Sequence, residues 1–160
     1  MNITLQARQL EHVMQFFQES KDEVLKGLFP FMENTLEEAI DMFKETLEPD
    51  ATSYGKIICV DDNYIGDVWC YCIDEVEDKH CFLSIVIFDK HYWHKGIGGK
   101  VLEEFCGEIA EKYAIHKICA FTYKHNVASK RLLEKVGFTC KEEFIDDGIP
   151  SYYLEKDLVI

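Results

Sequence analysis

Tyr92-Trp93-His94-Lys95-Gly96-Ile97-Gly98-Gly99-Lys100 separates the apolar run Cys81 to Phe88 from a segment whose apolar side chains return at the helical period: Val101, Leu102, Phe105, Ile109 and Tyr113. A strand, a glycine loop and a helix start in that order make a seat for an anion. Glycine lets the backbone approach a ligand, and the unpaired amides of a first helical turn point at whatever lies there, with the macrodipole favouring negative charge. The loop is not a P-loop, because His94 stands where the first glycine belongs and Val101 follows the lysine in place of Ser or Thr. Nor is it a dinucleotide fingerprint, since Val101 occupies the third glycine position. A nucleotide-binding switch is disfavoured on the same ground.

Charge is segregated around this loop. The 160-residue chain carries 30 acidic and 17 basic residues, a formal net charge of −13. Residues 90 to 102 and 112 to 133 nevertheless hold Lys90, Lys95, Lys100, Lys112, Lys117, Lys124, Lys130 and Arg131 without one carboxylate. Both stretches contain a helix start, so neighbouring strands would bring two positive helix ends to one rim, where a small polyanion is expected. The acidic remainder argues against broad binding to nucleic acid or an anionic membrane.

Working outward, Lys56 to Val60, Tyr64 to Ile73 and Cys81 to Phe88 are β-rich runs divided by the polar turns Asp61-Asp62-Asn63 and Glu75 to Lys79, which predicts an antiparallel meander. Before them, Ser20 with Glu23 and Thr35 with Glu38 have capping-box spacing, so the first part reads as two or three short helices ending near Leu47. After the loop come a helix, a buried strand from Lys117 to Thr122, a helix from Val127 to Val136 stopped by Gly137, and two strands, Phe138 to Ile145 and Ser151 to Leu158, joined across Asp146-Asp147-Gly148. No repeat or linker divides the chain, so one domain over residues 1–160 is expected.

Apolar residues make up 48% of the chain, enough for a full core, while the longest apolar run is far short of the roughly 18 residues of a membrane span. With no secretory pattern at the start, a soluble, cytoplasmic protein without a membrane partner is expected. The seven cysteines include no CxxC and sit among apolar neighbours, as buried reduced thiols do; Cys70 and Cys72 should share one face of a strand. His91 and His94 precede the loop with no third ligand indicated, so no metal site is expected.

Two motifs resemble the GNAT superfamily of acetyl-CoA-dependent N-acetyltransferases. Trp93-His94-Lys95-Gly96-Ile97-Gly98 is similar to its pyrophosphate loop, and Asn126-Val127-Ala128-Ser129-Lys130-Arg131-Leu132-Leu133-Glu134-Lys135-Val136-Gly137-Phe138 to its strand-to-helix motif ending in Gly-Phe. The element order agrees over nearly the whole chain. Trp93 stands where most members have Arg or Gln; the Tyr92-Trp93 pair, Ile65-Gly66 and Tyr152-Tyr153-Leu154 look similar to the ribosomal-protein N-terminal acetyltransferase branch.

The resemblance implies an α+β fold with a central mixed, mostly antiparallel sheet of about six or seven strands flanked by helices. It further implies that the His94, Lys95, Gly96, Ile97, Gly98 and Gly99 amides hold the pyrophosphate of acetyl-CoA, with Lys95, Lys100 or Lys130 neutralising outer phosphates. By the same resemblance the backbone at Ile87 and Phe88 pairs with the pantetheine arm and Asn126 bonds that arm from the other side, although Asn126 equally suits a helix cap. Acetyl transfer by direct attack on the thioester follows from the family. The usual general acid there is a tyrosine at the position of Leu133; Ser129, one turn earlier, is the nearest hydroxyl, and it also fits a cap or a cofactor contact.

For the base, alternation on strand 64–73 puts Asp67 on one face with Ile65, Trp69, Tyr71 and Ile73, with Glu75, Glu77 and Glu142 as rivals. The acidic surface suits a small cationic amine or a basic protein amino terminus as acceptor, and a homodimer is left open. The competing class is a non-catalytic acyl-CoA sensor or scaffold, motivated by the missing tyrosine.

Overall fold

The computed structural model describes residues 1–31 and 35–158. Seven strands, β1 (Ile3–Ala7), β2 (Tyr54–Val60), β3 (Asn63–Asp74), β4 (His80–Ile87), β5 (Lys117–Tyr123), β6 (Thr139–Asp146) and β7 (Ile149–Asp157), form one sheet in the order β1-β2-β3-β4-β5-β7-β6. Among the described residues five α-helices flank it: α1 (Leu10–Glu19), α2 (Glu23–Leu28), α3 (Leu36–Glu45), α4 (Ile97–Lys112) and α5 (Val127–Lys135). Every strand pair is antiparallel except β4 with β5. Among the described residues no helix is long and apolar enough to cross a membrane.

The turns follow from residue chemistry. Two-residue loops between right-twisted strands need positive φ at both positions, which Asp tolerates and Gly accepts freely. Asp61 and Asp62 at 50° and 66° close β2–β3, and Asp147 and Gly148 at 49° and 82° close β6–β7. Thr35 caps α3 by accepting the Glu38 N–H at 3.1 Å, as its spacing predicts. The other expected cap is displaced: Asp22 caps α2 by accepting from Leu25, while Ser20 ends α1 and donates its hydroxyl to the Phe17 carbonyl. β1 was not expected at all. It is a five-residue edge strand with alternation too brief to show as a pattern, and pairing with β2 holds it in place.

α4 supplies the core on one side of the sheet. Ile97, Val101, Leu102, Phe105 and Ile109 are all at most 1% exposed and pack on Ile58, Val68, Cys70, Leu83, Ile118 and Leu154. Each such side chain contributes about 1.5–3 kcal/mol on burial. Strand β3 departs from simple alternation at both ends. Cys59 faces Tyr64 and Ile58 faces Gly66, so Ile65 is an extra, bulged residue; a second irregularity falls between Tyr71 and Asp74. The bulges turn Ile65 and Ile73 into the α4-side core, and Asp67 shares its face with Trp69 and Tyr71 alone. Cys72 sits at φ 51° and is exposed, not on the buried face of Cys70. All seven cysteines are free, five of them buried.

The parallel contact of β4 with β5 covers only His80–Lys117, Cys81–Ile118 and Phe82–Cys119. Beyond it β4 runs on to Ile87 beside β3, and β5 to Tyr123 beside β7, so the sheet opens into a gap. On the β3 side the two chains close tightly. A Cβ at Gly66 would lie 2.2 Å from the Val86 carbonyl oxygen and 2.8 Å from Ile87 Cα. Backbone cannot give way as a flexible side chain does, so Gly66→Ala should destabilise the fold by about 3 kcal/mol, the upper end of overpacking costs. Denaturant titration checks this; an unchanged midpoint would contradict the close approach.

Candidate active site

The loop leaving β4 is pinned before the helix begins. The Ile65 carbonyl accepts both Phe88 N–H (2.9 Å) and Asp89 N–H (3.4 Å), and the Trp93 indole donates to the Ile87 carbonyl at 2.8 Å. Trp93 thus ties the loop back onto the strand it has left. His94 at φ 59° and Gly96 at φ 77° then reverse the chain, and Gly96 is the N-cap of α4 with no side chain satisfying the first-turn amides. No acid stands in that turn, and a Cβ at Gly96 would meet nothing within 4 Å. Gly98 packs against Leu132 of α5, where a Cβ would come to 2.9 Å of a methyl, so its small size lets the helices meet.

The cations do not all gather here. Lys90 pairs with Asp22, Lys117 with Glu155 and Lys124 with Glu143, and Lys112 ends α4 far along the helix, over the Tyr54 ring. Lys130 reaches Glu134 at 3.7 Å and lies 4.7 Å from the Tyr152 ring centroid. Lys95, Lys100 and Arg131 remain without an acidic partner among the described residues, so they carry the positive rim. Long flexible side chains find nearby carboxylates across elements, which a one-dimensional run of acid-free sequence does not reveal.

At the wide end of the gap, Asn126 caps α5: its Oδ1 accepts the Ser129 N–H at 3.3 Å, and its Nδ2 donates to the Leu28 carbonyl at 3.3 Å. The His125 ring meets the Gly27 carbonyl beside it. The end of α2 is thereby fastened to the β5–α5 corner, with Asn126 buried and both ends of its amide engaged. Ser129 is half-buried, and its hydroxyl has no partner among the described residues.

On the sheet face opposite α4 lies a cavity of about 550 Å³ that reaches the gap, since Ser84, Ile85, Ala120 and Thr122 contribute to its wall. Ser129, Leu133 and Asp67 line it; Glu75, Glu77 and Glu142 do not, and Glu75 instead accepts the Ala114 N–H. Asp67 is not a free carboxylate. Its Oδ2 pairs with Arg8 at 2.8 Å and its Oδ1 accepts the Tyr64 hydroxyl. Burial pushes its carboxyl above the usual range, against the opposing pull of Arg8 and Tyr64. Arg8 lies just past an edge strand and is distant in sequence from the rest, so no spacing announces the pair. Asp146, which reads in the sequence as a turn residue, also lines the cavity.

With this geometry in hand, comparison identifies the family. A model described as "Acetyltransferase (GNAT) domain" matches residues 2–139, and the chain belongs to the GNAT acetyltransferase family. A probable spermine N(1)-acetyltransferase of Bacillus subtilis subsp. natto is 33% identical over 60 residues, 38% of this chain and 40% of that relative's length. The fold is similar to RimL, a ribosomal L7/L12 alpha-N-protein acetyltransferase solved with coenzyme A (TM-score 0.83, 15% identity, covering 99% of this chain and 95% of that one). It is also similar to the Vibrio cholerae spermidine N-acetyltransferase solved with CoA and spermine (0.82, 14%, 97% and 95%).

The buried Arg8–Asp67 pair makes a pH-dependent prediction. A carboxyl whose folded pKa is raised contributes stability that is full below its unfolded pKa and is lost as pH rises through the folded value. Removing Arg8 raises that folded value further and widens the window of loss. Arg8→Met should therefore cost about 3–5 kcal/mol near neutral pH and distinctly less at pH 4, where Asp67 takes up its proton. Denaturant titrations at the two pH values check the slope; an equal cost at both would contradict it.

Proposed function

We propose that the protein transfers the acetyl group of acetyl-CoA to the nitrogen of a primary amine by direct attack. The observation that carries this reading is the meeting of the β4–β5 gap with the uncapped first turn of α4 at the end of β4. Family membership supports it, as do the coenzyme A ligands of the similar structures. The residues fit the group: free amides, positive-φ backbone and no carboxylate at the anion seat, and strand edges without a partner where a linear amide-bearing arm would lie.

In this reading the amides from His94 to Gly99 hold the pyrophosphate, and Lys95 and Lys100 offset outer phosphate charge, with Lys130 turned toward Glu134 and Tyr152. Phe88 N–H is committed to Ile65 and the Ile87 carbonyl to Trp93. By strand alternation, the Ile87 amide and the amide and carbonyl of Ile85 face the gap, ready for the pantetheine arm. Asn126 fixes the corner opposite them.

Orientation across the gap supplies most of the acceleration. A thiol ionises near 8.5, so the departing thiolate is a tolerable leaving group, and Ser129 is the group placed to give it a proton. Asp67, expected as the base, acts in this proposal by fixing Arg8 in the cavity wall, while the Tyr64 hydroxyl bonds its other oxygen.

One observation favours a second reading. Leu133, where the resemblance expects a tyrosine, is buried in the cavity wall, and a non-catalytic acyl-CoA sensor would need no acid there. Such a sensor binds acetyl-CoA but acetylates no amine.

Two variants test the proposal. Gly96→Asp meets no atoms in the fold and costs only about 1–3 kcal/mol of backbone strain, yet it puts a carboxylate at the anion seat. It should lower acetyl-CoA affinity at least a hundredfold by calorimetry with the fold intact; unchanged affinity would sink the assignment. Ser129→Ala should lower turnover about ten- to a hundredfold with acetyl-CoA affinity nearly unchanged, as for a contact made in the transition state. Full turnover at saturating acetyl-CoA would remove Ser129 from the mechanism.

A further inference from the structure

The cavity's lining is at odds with the charge of the surface around it. Of the 30 acidic residues in the chain, the described lining contains only Asp67 and Asp146, and Asp67 is already neutralised by Arg8. Much of the wall is aromatic, interspersed with Ser and Thr hydroxyls. Phe16 and Trp69 stand edge to face at 5.9 Å on one side. On the other, Tyr71, Phe121 and Phe144 line the cavity; Phe82, outside the lining, stacks on Tyr71 and Phe121 at 5.7 and 5.2 Å, and Phe144 is edge-on to Phe121 at 5.5 Å. Phe121 lines the cavity and is still 47% exposed, a large ring left partly in water two strand positions before Tyr123 and one loop before Ser129.

Resting on the acetyl-transfer reading above, we propose that the acceptor is a small arylalkylamine, a single primary amine on a short chain bearing a flat ring. The ring lies against the Phe121 shelf and Trp69, and the amine points toward Ser129 and the gap. The nitrogen forms a bond to the acetyl carbon, the carbon–sulfur bond breaks, the nitrogen releases a proton, and the thiolate takes one up, giving an amide and the free thiol.

A polyamine is a poor occupant, because each further ammonium withdrawn from water needs its own carboxylate, and Asp146 is the one described lining acid that is not salt-bridged. An aminoglycoside meets the same shortage of lining acids for its several ammonium groups, and the hydroxyls of Ser84, Thr122 and Ser151 answer only its neutral hydroxyls. A flat ring instead gains offset or edge contacts with the shelf and buries apolar surface on both sides. The volume, about 550 Å³, is in the range of pockets for ligands of this size.

The test uses the full chain with acetyl-CoA, following thiol release with 2-phenylethylamine and tryptamine against spermidine, spermine, kanamycin and a peptide beginning with Phe. The expected result is a kcat/KM at least tenfold higher for the two arylalkylamines than for any other acceptor. Phe121→Ala should raise their KM at least tenfold with acetyl-CoA affinity and thermal midpoint little changed. A tenfold preference for a polyamine, the aminoglycoside or the peptide overturns the arylalkylamine assignment while leaving acetyl transfer standing, and an unchanged KM in Phe121→Ala overturns the proposed seat. Acetyl-CoA binding with no amine acetylated overturns the acetyl-transfer reading itself, and this inference with it.

Discussion

The divergence of β4 from β5 after Phe82 and Cys119 is the constraint to which the rest of the molecule answers. Parallel strands with satisfied backbone groups would form a closed sheet; here one strand stays with β3 to Ile87 and the other with β7 to Tyr123. Unpaired strand edges in the middle of a sheet are costly unless something completes them. The tight approach of Gly66 to Val86 holds β4 to its β3 partner, and Ile65 bends the strand's exit by accepting two consecutive amides. Trp93 then returns the loop to Ile87, which sets the first turn of α4 at the end of the opened edge. Asn126, bonded to Ser129 and Leu28, fixes the other side.

Much of this was legible in the sequence because it depends on local chemistry. The glycine loop, the helix behind it, the meander and the last hairpin follow from Gly96, from the apolar period of Val101 to Ile109 and from Asp147-Gly148, each of which constrains φ or burial within a few residues. What was not legible depends on partners far away in the chain. β1 is defined by β2, the bulges of β3 by register against its neighbours, and the Arg8–Asp67 pair by the edge strand that brings Arg8 in. Charge was misjudged for the same reason, since acid-free runs at Lys117 and Lys124 meet Glu155 and Glu143 once folded.

The two faces of the sheet divide the chemistry. The α4 side is an apolar core that fixes the helix start, and the opposite side keeps a cavity whose wall includes rings from α1, β3 and β5. An acidic surface around an aromatic pocket separates attraction at long range from selection at contact. Net charge raises the concentration of any cation near the molecule, while the shape and polarity of the lining govern what fits at contact.

The central claim is that the open edge of β4 and the first turn of α4 together form the acetyl-CoA seat. Amide hydrogen exchange with and without coenzyme A tests it most directly, because the alternate amides of β4 that face the gap have no strand partner in the free protein. The account predicts slowed exchange at Ile85 and Ile87 and from His94 to Gly99, with β2 unchanged. Protection confined to other segments, or to the loop without the β4 edge, would contradict it.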